Sequence, residues 1–219
     1  MNNYIWKPVL PPFRRHKKKV FSEIIDTSGL VYQIGESDIL RKPSHPVSIK
    51  EIKTKELQEK IAYLKKVLIK YRKLTGKGRG ITAVQVGIPQ RFSIVYMPIT
   101  RKTSKEKINV VDLLVIINPH ITKKSTELYR YPEICMSANP IVAPVIRPAW
   151  IEFEYYDEKG EKKYWSTKDL NKKGRMSNRV FQHEIDHMEG IINIDLCDSK
   201  KLIFESDPKF YKKADFTKM

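Results

Sequence analysis

Between residues 47 and 75 the chain carries one apolar stripe. Leu57, Ile61, Leu64, Leu68 and Tyr71 recur at steps of 4, 3, 4 and 3. Only an α-helix puts such positions on one face, so the stretch predicts a helix that needs a surface to pack on. It stops at "TGKGRG", where glycines end the helix and permit tight backbone geometry. No second stripe follows directly. Instead come short strand-like runs: "RFSIVYM" (91–97), "LLVIIN" (113–118) and "IEFEYYD" (151–157). The last alternates and meets a turn at "EKG" before "KKYWST". The segment "RKTSKEK" (101–107) reads as a charged loop. A second helix is expected from Ser177 to Gly190, with the glycine just past its end. Helix, strands, then helix is an α+β order, without the βαβ alternation of a parallel sheet.

At 219 residues, 41% of them apolar, the chain suits one globular domain with a real core. No apolar run approaches the roughly 18 residues of a membrane-spanning helix. The first 28 residues read as a basic arm rich in prolines and aromatics. They lack the apolar core, roughly 7–15 residues long, of a secretory signal. An organelle transit peptide and a bound, extended arm both suit them. Two cysteines, Cys135 and Cys197, make no disulfide framework and suit a reducing compartment. The net charge of +17 attracts polyanions, but lysine is spread along the whole chain, which favours general solubility. No DNA- or RNA-binding signature is present.

The chemistry concentrates in "QHEIDHMEG" (182–190), which holds His183, Glu184 and His187 in the spacing H-E-x-x-H. On a helix, i and i+4 share a face, so the two imidazoles can grip one metal ion with Glu184 beside it. A catalytic site of this kind wants a third protein ligand and one open position. The protease pattern that continues to a third histidine fails here, because Asn193 stands at that place and His187 is the last histidine. Glu189 is too close to fold back, and Glu205 lies in a lysine-rich tail. Cys135 remains as a soft thiolate donor, and equally as a small buried hydrophobe.

Three segments in order resemble the peptide deformylase family. "GRGITAVQVG" (78–87) is similar to its G-x-G-x-A-A-x-Q-x-G motif, "EICMS" (133–137) to E-G-C-L-S, and "QHEIDHMEG" to Q-H-E-x-D-H-L-x-G. "VYQIGESDILRKPSHPV" (31–47) resembles the family's opening segment, and the likeness runs over about residues 29–197. The resemblance implies antiparallel sheets packed around a central helix that carries H-E-x-x-H. It implies removal of the formyl group from the N-terminal formylmethionine of nascent chains. Cys135, His183 and His187 would hold one divalent metal, Fe(II) in the cell, with Zn, Ni or Co able to replace it. Glu184 would be general base and then acid. Gln85 and the backbone N–H of Met136 would bind the formyl oxygen, and Gly80, Ile134, Gly78 and Val180 would contact the substrate. The resemblance divides the chain into a basic arm (1–28), a catalytic domain (29–197) and a basic tail (198–219). The expected partner is a formylated nascent peptide, with a weak ribosome contact through the tail and neither DNA nor membrane. A monomer is expected in a bacterial cytoplasm or an organelle of bacterial origin.

Four positions depart from the pattern. Ile134 replaces a glycine, which would mean strain if that position needs φ > 0. Thr82 replaces an alanine, Met136 a leucine, and Val142 stands where many relatives place a substrate-holding arginine. Pro208 interrupts any long C-terminal helix. Two other readings stay beside the main one: a deformylase-like protein with weak or no turnover, and an H-E-x-x-H metalloprotease.

Overall fold

The computed structural model describes residues 29–102, 107–168, 172–204 and 217–218. The expected stripe forms a helix, but in two pieces. A single turn, α1 (Ile49–Ile52), is closed at its start by a reciprocal Ser48–Glu51 capping box. The chain then breaks, and Thr54 caps α2 (Lys55–Thr75), whose end is the left-handed Gly76. Two N-caps six residues apart, Ser48 and Thr54, mean two starts, which the apolar spacing alone does not reveal.

Among the described residues nine strands follow in two antiparallel sheets. The first, in the order β1-β2-β3-β6-β7, comprises β1 (Gly80–Thr82), β2 (Phe92–Lys102), β3 (Lys107–Lys124), β6 (Ile151–Tyr156) and β7 (Lys162–Ser166). The second, in the order β8-β5-β4-β9, comprises β4 (Leu128–Ile134), β5 (Ile141–Pro148), β8 (Ile203–Phe204) and β9 (Thr217–Lys218). Of residues 101–107, expected as a loop, Arg101, Lys102 and Lys107 belong to strands, since β2 runs through Lys102 and β3 starts at Lys107; 103–106 lie outside the described residues. Within the expected tail, β8 pairs with β5 and β9 pairs with β4.

The last helix, α3, spans Lys172–Met188 rather than starting at Ser177. Its first turn, "KKGRM", has no apolar period to read, yet Lys, Arg and Met are good helix formers. A Schellman pair ends it, with Gly190 N–H bonded to His187 O at 3.2 Å and Ile191 N–H to Asp186 O at 3.0 Å. Gly190 has φ +75°, and a Cβ there would lie 2.7 Å from the Arg41 backbone.

The first sheet separates two apolar layers. Phe92, Ile94, Val115 and Ile117 face the buried stripe of α2. Val95 and Ile116, with Ile151, Phe153 and Tyr155, face Val180, Phe181 and Ile185 of α3. The alternation along β2 and β3 is the period of two read across a sheet covered on both sides. The second sheet lies along the other side of α3, where Glu133 and Arg147 bond its side chains. So α3 is held between the two sheets, and its H-E-x-x-H face looks into the space between them.

β4 and β5 escaped the sequence reading because of Pro132, Pro144 and Pro148. Pro132 stands directly opposite Pro144, and Leu128 opposite Pro148. In a non-hydrogen-bonded pair neither N–H points at the partner strand, so proline removes no ladder bond there.

Candidate functional site

The same parity fixes the backbone at the site. Ile134 faces Val142 two residues along from the proline pair. Its N–H and C=O therefore point away from β5, along a side of β4 where, among the described residues, β9 pairs with Tyr129 and Arg130 alone. Ile134 is extended and not in the left-handed region, since Asn118 is the one non-glycine with positive φ among the described residues. The strain expected for isoleucine in a glycine position is absent.

Immediately after β4 the chain turns, and Cys135 caps one turn of 3-10 helix, Met136–Ala138, accepting from Ser137 N–H at 3.4 Å. Met136 is the first residue of that turn, where backbone N–H groups have no partner within the helix. Cys135 is fully buried and its Sγ lies 3.1 Å from Nε2 of the fully buried His187. His183 stands edge-on to His187 with ring centres 4.9 Å apart. One donor atom from each of Cys135, His183 and His187 lies within 4.8 Å of the others. A four-coordinate ion with N and S ligands wants separations of roughly 3–4 Å. His187 Nδ1 is buried with no hydrogen-bond partner among the described residues, and a thiol with two imidazoles is a borderline-soft donor set. The residues present fit a divalent transition metal.

Around these atoms the polar groups are tied. Glu133 accepts from Arg147 Nη2 at 2.9 Å and, on its other oxygen, from Arg147 Nε, and it meets His183 Nδ1 at 2.9 Å. Arg147 Nη1 donates to Asp186 at 2.7 Å. Asn193, which stands where the protease pattern wants a histidine, donates to Glu133 O at 3.0 Å. Burial pushes the Glu133 carboxyl up, but Arg147 and His183 outweigh it and hold it well below the usual carboxylate range. Burial pushes the His183 imidazolium down, and hydrogen bonds to Cys135 and Glu133 more than reverse that. For His187 burial dominates and the shift is downward. A divalent cation competes with protons for the same atoms.

Glu184 projects from α3 toward β1 and is 4% exposed. Thr82 Oγ donates to its Oε2 at 2.6 Å. Burial raises its pKa, against smaller pulls from His183 and Thr82. Gly80 passes so close that a Cβ there would sit 2.2 Å from Glu184 Oε1. Gly78 has φ +87°, a backbone that side chains rarely adopt. These two constraints explain the "GRG" spacing. Gln85 is buried, with Oε1 accepting from Thr82 N–H at 2.9 Å and Nε2 donating to Ser137 Oγ at 3.0 Å. Nε2 also lies 3.8 Å from Cys135 Sγ, so its N–H side is turned toward the cluster.

A cleft of about 660 Å³ opens over this floor, lined by Gly78, Gly80, Gln85, Ile134, Met136, Val180, His183 and Glu184 among others. Cys135 and His187 lie behind it. Val142 is fully buried, paired with Ile134 and Ile203, and does not line it. The cations of the cleft are Arg72, Lys77, Arg79 and Arg179. Sequence reasoning assigned no role to Glu133, Arg147, Asp186 or Ser137. Glu133 had a signal, its place in "EICMS". Asp186 had one too, lying three residues after His183 on the same helix face. Arg147 had none, because its pairing with Glu133 exists only once β4 and β5 lie side by side.

Two imidazoles and a thiol converging beside a buried carboxylate at one cleft fit the mononuclear metallohydrolase type of centre. The polypeptide deformylase family model matches residues 30–202. The peptide deformylase of Prochlorococcus marinus (strain NATL2A) is 32% identical over 189 residues, 86% of this chain and 83% of that protein. Among solved structures, the Met-Ala-Ser-bound class I type b peptide deformylase of Acinetobacter baumannii superposes with TM-score 0.60 at 26% identity, covering 76% of this chain and 96% of that one. A probable peptide deformylase from Synechococcus phage S-SSM7 gives TM-score 0.58 at 29% identity, over 76% and 97%. The chain belongs to the polypeptide deformylase family, hydrolases that remove the formyl group from an N-terminal formylmethionine.

Proposed function

We propose that this chain deformylates nascent peptides with Cys135, His183 and His187 holding one divalent ion, Fe(II) in the cell. The observation that carries the assignment is the convergence of their three donor atoms beside the buried Glu184 at the floor of one cleft. When bound, such an ion acts as a Lewis acid and makes water a competent nucleophile at neutral pH. Glu184, fixed by Thr82, takes the proton of the attacking water and returns it to the leaving amine as the C–N bond breaks, giving formate and a free N-terminus. The Gln85 amide, its oxygen already occupied by Thr82 N–H, presents its N–H side, and Met136 N–H adds a second donor for the oxyanion. Each such donor is worth about 3 kcal/mol in comparable sites.

The substrate strand fits between the edge strand β1 at Gly80 and the part of β4 at Ile134 that no described strand pairs on that side, as an added strand pairs with exposed backbone. Gly78 and Val180 line the same cleft. The metalloprotease alternative finds no support in the described residues: Asn193 bonds Glu133 O, and Glu189 pairs with Arg91 at 2.5 Å. Glu205 lies outside the described residues. A monomer in the cytoplasm, touching the ribosome through the basic residues 198–219, completes the proposal. No helix among the described residues is long and apolar enough to cross a membrane.

The deciding experiment is formate release from formyl-Met-Ala-Ser by protein purified without oxygen and assayed for metal. Iron- or nickel-dependent release without cleavage of an acetyl-blocked peptide supports the proposal. Metal-loaded protein that releases no formate refutes it.

A further inference from the structure

The walls of the cleft differ from its floor in charge. Arg72, Arg79 and Arg179 all line it, and Lys77 stands at its rim. Among the described residues no carboxylate forms an ion pair with any of the three arginines. The acid that Arg179 senses is Glu133, whose oxygens already bond Arg147 and His183. Arg79 and Arg179 are only partly exposed; burial disfavours both charged forms, with Arg179 and Arg72 adding to it at Arg79, and Arg147 adding to it but Glu133 opposing it at Arg179. A guanidinium still keeps its proton at neutral pH, so the cost is carried by the folded protein.

Arg72 has structural work: its guanidinium stacks 3.5 Å from the centre of the Tyr96 ring and bonds Gly78 O. Arg179 uses one of its five N–H donors on Pro132 O at 2.9 Å. Arg79 has no side-chain partner among the described residues. It lies between the two glycines that border the floor, and Arg179 lies one helical turn before His183. The unspent donors of both therefore face the channel in which an extended peptide would lie. The planar fork of a guanidinium matches a carboxylate, and such charged bonds are stronger than neutral ones.

We infer that this cleft selects formylated peptides carrying a carboxylate within their first three residues, received by Arg79 and Arg179. The inference rests on the deformylase reading above and names the substrate class for that same site.

The test compares metal-loaded enzyme on the C-terminally amidated peptides formyl-Met-Ala-Ser, formyl-Met-Asp-Ser, formyl-Met-Ala-Asp, formyl-Asp-Ala-Ser and formyl-Met-Lys-Ser, so that a side chain supplies any carboxylate present. At least one acidic peptide should exceed the neutral one by about tenfold or more in kcat/KM, mostly through KM, with the lysine peptide below both. Arg79→Leu and Arg179→Gln should each bring the acidic-to-neutral ratio toward one. Equal values for acidic and neutral peptides, or a preference that survives both variants, overturns the inference while leaving the deformylase reading intact. If no peptide is hydrolysed, the deformylase reading fails on its own. Calorimetric binding of amidated Met-Ala-Ser against amidated Met-Asp-Ser and Met-Ala-Asp then decides the inference without turnover, with equal affinities refuting it.

Discussion

The floor and the walls of the cleft treat charge in opposite ways. On the floor every ion has a partner: Glu133 lies between Arg147 and His183, Arg147 between Glu133 and Asp186. On the walls Arg79 feels the charge of Arg179, and among the described residues neither forms an ion pair with a carboxylate. Paired, buried charge holds geometry, because removing either member leaves the other desolvated and alone. Charge without an ion-pair partner at a half-open wall adds little to the free protein and keeps donors available to a ligand. Position and selectivity are thus assigned to different residues, and substitutions can separate them.

The largest effect is expected at the floor. Glu184→Gln keeps the volume and the Thr82 contact but cannot accept a proton. Formate release should fall between about a hundredfold and about ten-thousandfold, while metal content, read by atomic absorption, stays at one ion per chain. Near-normal turnover would remove Glu184 from the mechanism.

Next is the ion pair. Arg147→Met leaves Glu133 buried without its guanidinium, which should cost about 3–5 kcal/mol in denaturant unfolding and reduce metal retention as His183 loses its fixed partner. Arg79→Leu, of the same charge change, should move stability by no more than about 0.5 kcal/mol, because no ion pair is broken. Similar costs for the two would erase the distinction between floor and walls.

These two arginines also mark the limit of what the sequence discloses. The H-E-x-x-H helix, the α2 stripe and the three motif segments were legible because each is local: periodicity and spacing carry them. The candidate ligands Cys135, His183 and His187 come from two of those segments, and the structure brings them together. Arg147 was not legible, since only the β4–β5 register sets it against Glu133. The same two strands were hidden by prolines, whose acceptability depends on which pairs are hydrogen-bonded, a property of two strands rather than one. Arg79 was in plain view within "GRG", but its lack of a partner is a fact of the fold.

A smaller effect tests how firmly the floor is held. Thr82 stands where the family motif has alanine, and its hydroxyl reaches Glu184 Oε2 at 2.6 Å. A hydrogen bond to a charged group is worth about 1.5–3 kcal/mol. Thr82→Ala should lower kcat about tenfold with KM little changed, and Thr82→Ser, which keeps the hydroxyl, should restore most of it. Equal kcat in all three would mean that Gly80 and burial alone fix the carboxylate.

Ile134 sits on the border between the two regions, with Glu133 before it turned to the helix and Cys135 after it turned to the cluster. Had isoleucine replaced a glycine that needs positive φ, reverting it would release strain. The backbone here is extended strand paired with Val142, so there is no strain to release. Glycine would instead add unfolded-state freedom and lose side-chain contacts. Ile134→Gly should therefore lower stability by about 0.5–1 kcal/mol. Its kinetic effect should lie in KM alone, because the side chain lines the cleft while the peptide group that pairs with substrate is unchanged. A rise in kcat would show that crowding at this border reaches the floor, and that the division between holding and selecting is less complete than the paired and unpaired charges imply.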